Sequence, residues 1–215
     1  CRGIIVESKS GREAILAKVV VDATADGDVC VSAGAEMVTD NHDITLICQV
    51  TGVDKEAADA FKRDEPDAYA ELMAELAEQG GMVPSPGGAR FEGYSAVNVD
   101  DLTHIENEAR KRAMRGLVFL RAHMPGYEKA RVSLTCPQLG VRESRKIVGE
   151  YTLTQDDILG SRKFGDSIGR CGAQMTGYKL YDVSELDYDI PYRCLVPQRI
   201  DGIVAAGRCV SATHW

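Results

Sequence analysis

The stretch "VVVDATADGDV", Val19 to Val29, runs three β-branched residues into Asp-Ala-Thr and then into an acidic turn that carries Gly27. β-Branched residues favour a strand and Asp-Gly-Asp favours a turn, so the segment predicts a strand ending abruptly in a polar loop. Because Val19 to Val21 are continuously apolar, the strand reads as buried on both faces, as in a sheet covered by helices. In such sheets the loop leaving the C-terminal end of a strand borders a ligand crevice. That puts Asp22 to Asp28 at the edge of a candidate site. Upstream, "GIIVES", the turn "KSGRE" and "AILAK" complete a β-meander; downstream, "CVSAGAEM" gives a short helix of small residues.

A second strand of this kind closes the chain, where "DGIVAAGRCVSATH" (201–214) runs an apolar segment into Gly207. The part between is patterned differently. "DITLICQVTGVD" places Ile44, Leu46 and Cys48 on one face of a strand. Two helices follow, separated at Pro66, and the second carries Tyr69, Leu72, Met73 and Leu76 at helical spacing before a Gly-Gly stop. Asp101 is placed to cap a helix from Leu102 to about His123, with Leu102, Ile105, Ala109, Ala113 and Leu117 as its buried stripe. A strand is expected over Arg131 to Leu134, and Thr154 caps a helix with Asp156 and Asp157 in its first turn.

With 215 residues, 44% apolar and 27% charged, the composition is that of a globular protein. The formal charge of −8 and a pI near 5.1 argue against a nucleic-acid partner. "GIVAAG", the longest apolar run, is far too short to span a bilayer, and no signal peptide opens the chain, so a cytoplasmic location without membrane association is expected. Seven cysteines (1, 30, 48, 136, 171, 194, 209) without a C-x-x-C pair, and four scattered histidines (42, 104, 123, 214), predict neither a disulfide framework nor a metal site.

Four stretches, in order, give the chain a family resemblance: "DATADGD" (22–28), "ESRKIVGEYTL" (143–153), "YDIPYRCLVP" (188–197) and "GRCVSATH" (207–214). Together they resemble the FAD-dependent oxidoreductases of the glutathione-reductase-like flavin fold, in the branch marked by "DATGDGD", "ESRRI-GEY-L", "YDIPYRCLVP" and "GRC-SATHEA". Two departures stand out: Ala25 occupies a family glycine position, and no GxGxxG turn precedes the meander. The chain is therefore expected to be an internal fragment that binds FAD weakly and is inactive alone.

The resemblance implies an α/β fold. Residues 1–40 and 191–215 are expected to form a partial, discontinuous Rossmann-like FAD-binding domain with a β-meander, and 41–190 an inserted α+β substrate or cap domain. It further implies cofactor contacts at Ala23, Thr24, Ala25, Asp26, Gly27, Asp28, Gly207, Arg208, Ser211, Ala212 and Thr213. The expected activity is hydride transfer between a small organic substrate and flavin N5. Each group also has a plainer reading. Asp26 and Asp28 are placed to cap the following helix. Arg142 and Arg145 either form an ordinary ion pair with Glu143 or stand as cations near the flavin, where they would stabilise negative charge on the ring. His214 is either a surface residue or an acid–base group at the flavin edge. Cys171 and Cys209 are buried thiols or redox groups. The rival to an enzyme is a non-catalytic binding domain that keeps the flavoprotein fold; a hydrolase is disfavoured because no G-x-S-x-G is present.

Overall fold

The computed structural model describes residues 1–40, 42–85, 88–172 and 187–213. It is a mixed α/β structure with several small sheets, and it divides into two compact units: 1–40 with 143–215, and 41–142.

In the first unit, strands Gly3–Ser8 and Gly11–Leu16 form an antiparallel hairpin. The strand Val20–Asp22 then pairs in parallel with Ile203–Ala205 near the other end of the chain, in the register Val20↔Ile203 and Asp22↔Ala205. The helix Asp28–Ser32 follows, and its Cys30 joins Val20, Ile147, Ile203, Ala205 and Cys209 in one buried cluster. Only Val20 of the valine run is inside. Val19 and Val21 are 57% and 60% exposed, so burial on both faces does not hold. The reason is local: side chains alternate along a strand, and among the described residues the core cluster covers one face of this two-stranded pair.

The chain rejoins this unit at residue 143. Strand Arg145–Ile147 pairs antiparallel with Met37–Thr39, Gly149 bridges to Pro197, and Leu153 bridges to Ala212. These long-range pairings tie 143–153 to both ends of the chain, and no local composition shift announces them. Ser167–Cys171 and Tyr188–Pro191 add a further antiparallel pair.

The second unit has Ile44–Leu46 as the centre strand between Ala89–Phe91 and Gly140–Val141. Cys48–Thr51 pairs with Arg131–Thr135. Ile44, Leu46 and Cys48 share one buried face, as the period of two requires. Helix Val99–His123 lays Ile105, Ala109 and Ala113 on that face, and Leu120 joins Leu76 and Ala58 of the helices Pro66–Glu78 and Lys55–Asp64 in a second cluster. The cap of the long helix is Asn98, whose side chain accepts from the N–H groups of Asp100 (2.9 Å) and Asp101 (3.2 Å). Asp101 instead accepts from the backbone N–H of Ser95 at 2.8 Å. Among the described residues no helix is long and apolar enough to cross a membrane.

Candidate active site

Parallel pairing brings the two polar turns to the same end of their strands, and the backbone N–H of Ala206 donates to the carbonyl of Asp22 at 2.8 Å. The first turn is folded around Asp22, which is fully buried. Its Oδ1 accepts from the backbone N–H (3.0 Å) and hydroxyl (2.6 Å) of Thr24, and its Oδ2 accepts from the N–H of Cys30 at 2.7 Å. Thr24 Oγ1 in turn accepts from the N–H of Asp28 at 2.9 Å. Burial raises the Asp22 carboxyl, but the hydrogen bonds from Thr24 and Cys30 outweigh it and hold its pKa below the ordinary value. The helix Asp28–Ser32 starts from Gly27 (φ 69°) with no side-chain cap of its own. Its first N–H groups are taken by Thr24 and Asp22, so the capping role read for Asp26 and Asp28 falls to residues earlier in the turn. Ala25, at the family glycine position, adopts φ 72°, a conformation that costs an L-residue about 1–2 kcal/mol.

Asp26 and Asp28 point outward to cations. Asp26 pairs with Arg208 of the second turn at 2.8 Å and accepts from the Ser144 hydroxyl, while Arg208 Nη1 also donates to Ser144 Oγ at 3.4 Å. Arg145 donates through Nε to the Asp26 carbonyl at 2.9 Å and pairs with Asp28. The two turns and the start of strand Arg145–Ile147 are thus joined by one ionic clasp. Of the two candidate catalytic arginines, Arg145 belongs to this clasp, whereas Arg142 ends the other compact unit. Glu143 pairs with Lys146 at 2.8 Å. His214 lies outside the described residues.

Ser211, Ala212 and Thr213 line a cavity of about 460 Å³, together with Asp40, Lys146 and Thr152. The hydroxyls of Thr152 and Ser211 lie 2.9 Å apart, and Thr213 Oγ1 donates to the carbonyl of Leu153 at 3.4 Å. Sequence reasoning placed Asp22 at the edge of the candidate site without a role, and it missed Lys146 and Thr152. Lys146 was overshadowed by the two arginines before it. Its signal was a lysine immediately before the apolar Ile147-Val148 in a strand. The remaining motif residues brace the fold. Tyr151 donates its hydroxyl to Asp157 at 2.8 Å, Arg162 bridges both, and Arg193 sits over the Tyr151 ring with its guanidinium 5.1 Å from the centroid. Cys209 is fully buried, and burial pushes its thiol up, which disfavours the reactive thiolate.

Two glycine-bearing turns leave the same end of a parallel strand pair, and hydroxyls line a cavity beside the strand Arg145–Ile147. The whole chain, residues 1–215, matches the family model of the FAD dependent oxidoreductases, and the chain belongs to that family. No curated protein and no solved structure matches it. The family cofactor is FAD. The residues present fit it: Gly207 has φ 93° with open space where a Cβ would stand, so a ligand can approach the backbone there. The hydroxyls of Thr152, Ser211 and Thr213 and the ammonium of Lys146 are polar groups of one cavity.

Proposed function

We propose that the unit 1–40 with 143–215 is the part of a Rossmann-like FAD domain carried by this chain, and that 41–142 contributes to the substrate side of a cytoplasmic oxidoreductase. The observation that carries this reading is the parallel pairing of Val20–Asp22 with Ile203–Ala205, which sets two glycine-bearing polar turns side by side. Bound FAD supplies the redox centre, a flavin N5 that exchanges hydride with a small organic substrate. The chain's own residues do the holding. Asp22 and Thr24 fix the shape of the first turn, Asp26, Arg208 and Ser144 keep it against the second, and Gly207 leaves the backbone open to the cofactor. Ser211 and Thr213 offer hydroxyls to it. Arg145 acts through the clasp, Arg142 is assigned to the substrate side, and His214 is assigned the substrate proton.

The test is anaerobic reduction of the full-length protein's flavin by a panel of amines, amino acids, alcohols and hydroxy acids. Loss of the yellow absorbance with one class supports the reading and identifies the substrate. A flavin that dithionite bleaches but no organic donor does contradicts it.

A further inference from the structure

In the unit 41–142, the helices Pro66–Glu78 and Val99–His123 meet through Leu76 and Leu120 in one buried cluster, and each keeps another face in water. The two exposed faces are opposite in charge. The shorter helix sets Asp67, Glu71 and Glu78 beside Ala70, Ala74 and Ala77, all exposed, and it contains no basic residue. From Ala109 to His123 the longer helix contains no acidic residue, and its exposed face carries Lys111, Arg115 and Arg121 among Met114, Val118 and Ala122. A basic strip is out of character in a chain of formal charge −8, and solubility does not require it.

The basic face is also apolar. Met114 is 50% and Val118 66% exposed, one turn apart, and with Phe119, Ala122, Lys111 and Arg115 they line a groove of about 650 Å³. Single exposed apolar residues are ordinary, but two large ones along a groove rimmed by cations mark a contact surface. The acidic helix of the same copy does not neutralise these cations. Arg110 and Arg112 pair with Glu106 and Glu108 of their own helix, Arg115 reaches Glu108 at 3.5 Å, and among the described residues no ion pair joins the two helices. The faces match in length as well: Asp67 to Glu78 and Lys111 to Ala122 span the same number of residues, about 16 Å of helix each. Alanines on one face leave room for Met114 and Val118 on the other.

We propose that the two faces are partners in a homodimer, the acidic helix of each copy lying along the basic groove of the other. Because every copy carries both faces, the contact is reciprocal about a two-fold axis and closes on itself. Apolar contact at Met114 and Val118 supplies the affinity, and the charges select the partner, since exposed ion pairs alone add little.

Sedimentation velocity of the full-length protein is the test, with wild type expected as a dimer in the micromolar range. Lys111→Glu with Arg115→Glu makes both faces acidic, and Glu71→Lys with Glu78→Lys makes both basic. Each double variant alone dimerises at least about tenfold more weakly. Mixed in equal amounts they restore the dimer, because both faces of one variant then meet opposite charge on the other. Val118→Ser, at an exposed position where substitution leaves the fold intact, also weakens the dimer about tenfold. A monomeric wild type overturns the proposal, and so does a mixture of folded variants no more dimeric than its components. Should a double variant not fold, Val118→Ser decides alone, and wild-type dimerisation of that protein overturns the proposal.

Discussion

At Asp22 a single buried carboxylate organises a whole turn by accepting from Thr24 and Cys30. Asp22→Ala strands those donors and is expected to cost about 2–3 kcal/mol in urea unfolding, with loss of FAD binding, because unsatisfied buried donors bear their full desolvation penalty. Since its folded pKa lies below the unfolded one, its contribution is present above the ordinary carboxyl pKa of 3.8 and is lost as pH falls below it. Ala25 presents the opposite case. Its φ of 72° is strained for alanine, so Ala25→Gly is predicted to raise stability by about 0.5–1 kcal/mol after the entropic cost of glycine, read as a higher urea midpoint at unchanged slope. An unchanged or lower midpoint would show that the turn tolerates alanine without strain. The buried thiols give a third check: burial and Asp22 push Cys30 up to about 12, so Cys30 and Cys209 should resist alkylation at pH 8 until the protein is unfolded.

Between elements, the segment 151–166 is held to the 3₁₀ turn Tyr192–Cys194 by Tyr151, Asp157, Arg162 and Arg193. Burial raises the Asp157 carboxyl, but the Thr154 N–H, Arg162 and the Tyr151 hydroxyl outweigh it and bring the pKa to about 2. A depressed carboxyl stabilises the fold above its unfolded pKa of 3.8, and that contribution, about 2 kcal/mol, fades as pH drops from 4 towards 2. Asp157→Asn should flatten this part of the acid-unfolding curve; a curve of unchanged shape would contradict the assignment. Elements of this kind were legible where the pattern is local. The Thr154 cap, the break at Pro66 and the stripe Ile105, Ala109, Ala113 follow from spacing alone. Asn98 was passed over for Asp101, a residue of equal capping preference three positions on, and the exposure of Val19 and Val21 depends on what covers the sheet, which a strand's own residues do not encode.

At the scale of the molecule, the decisive contact joins opposite ends of the chain. The two turns were recognisable as a pair because each is an apolar strand running into a glycine-bearing polar loop, and parallel sheets collect such ends on one side. The division at 142 was not recognisable, because it is set by Arg145–Ile147 pairing with Met37–Thr39 across the whole intervening unit. Nor was the cavity, since Lys146, Thr152 and Ser211 meet only after that pairing. If the converging turns hold the cofactor, its affinity must depend on the backbone at Gly207, where a Cβ would meet no protein atom within 4 Å but φ 93° strains any side chain, so folding has to be followed beside binding. The most direct measurement is therefore FAD titration of the full-length protein as wild type and as Gly207→Val, with urea midpoints measured in parallel to separate lost binding from lost folding. The account predicts stoichiometric uptake by wild type and affinity weakened by about tenfold or more in a folded Gly207→Val protein. A folded wild type that takes up no FAD, or a valine variant that binds it equally well, would contradict the account.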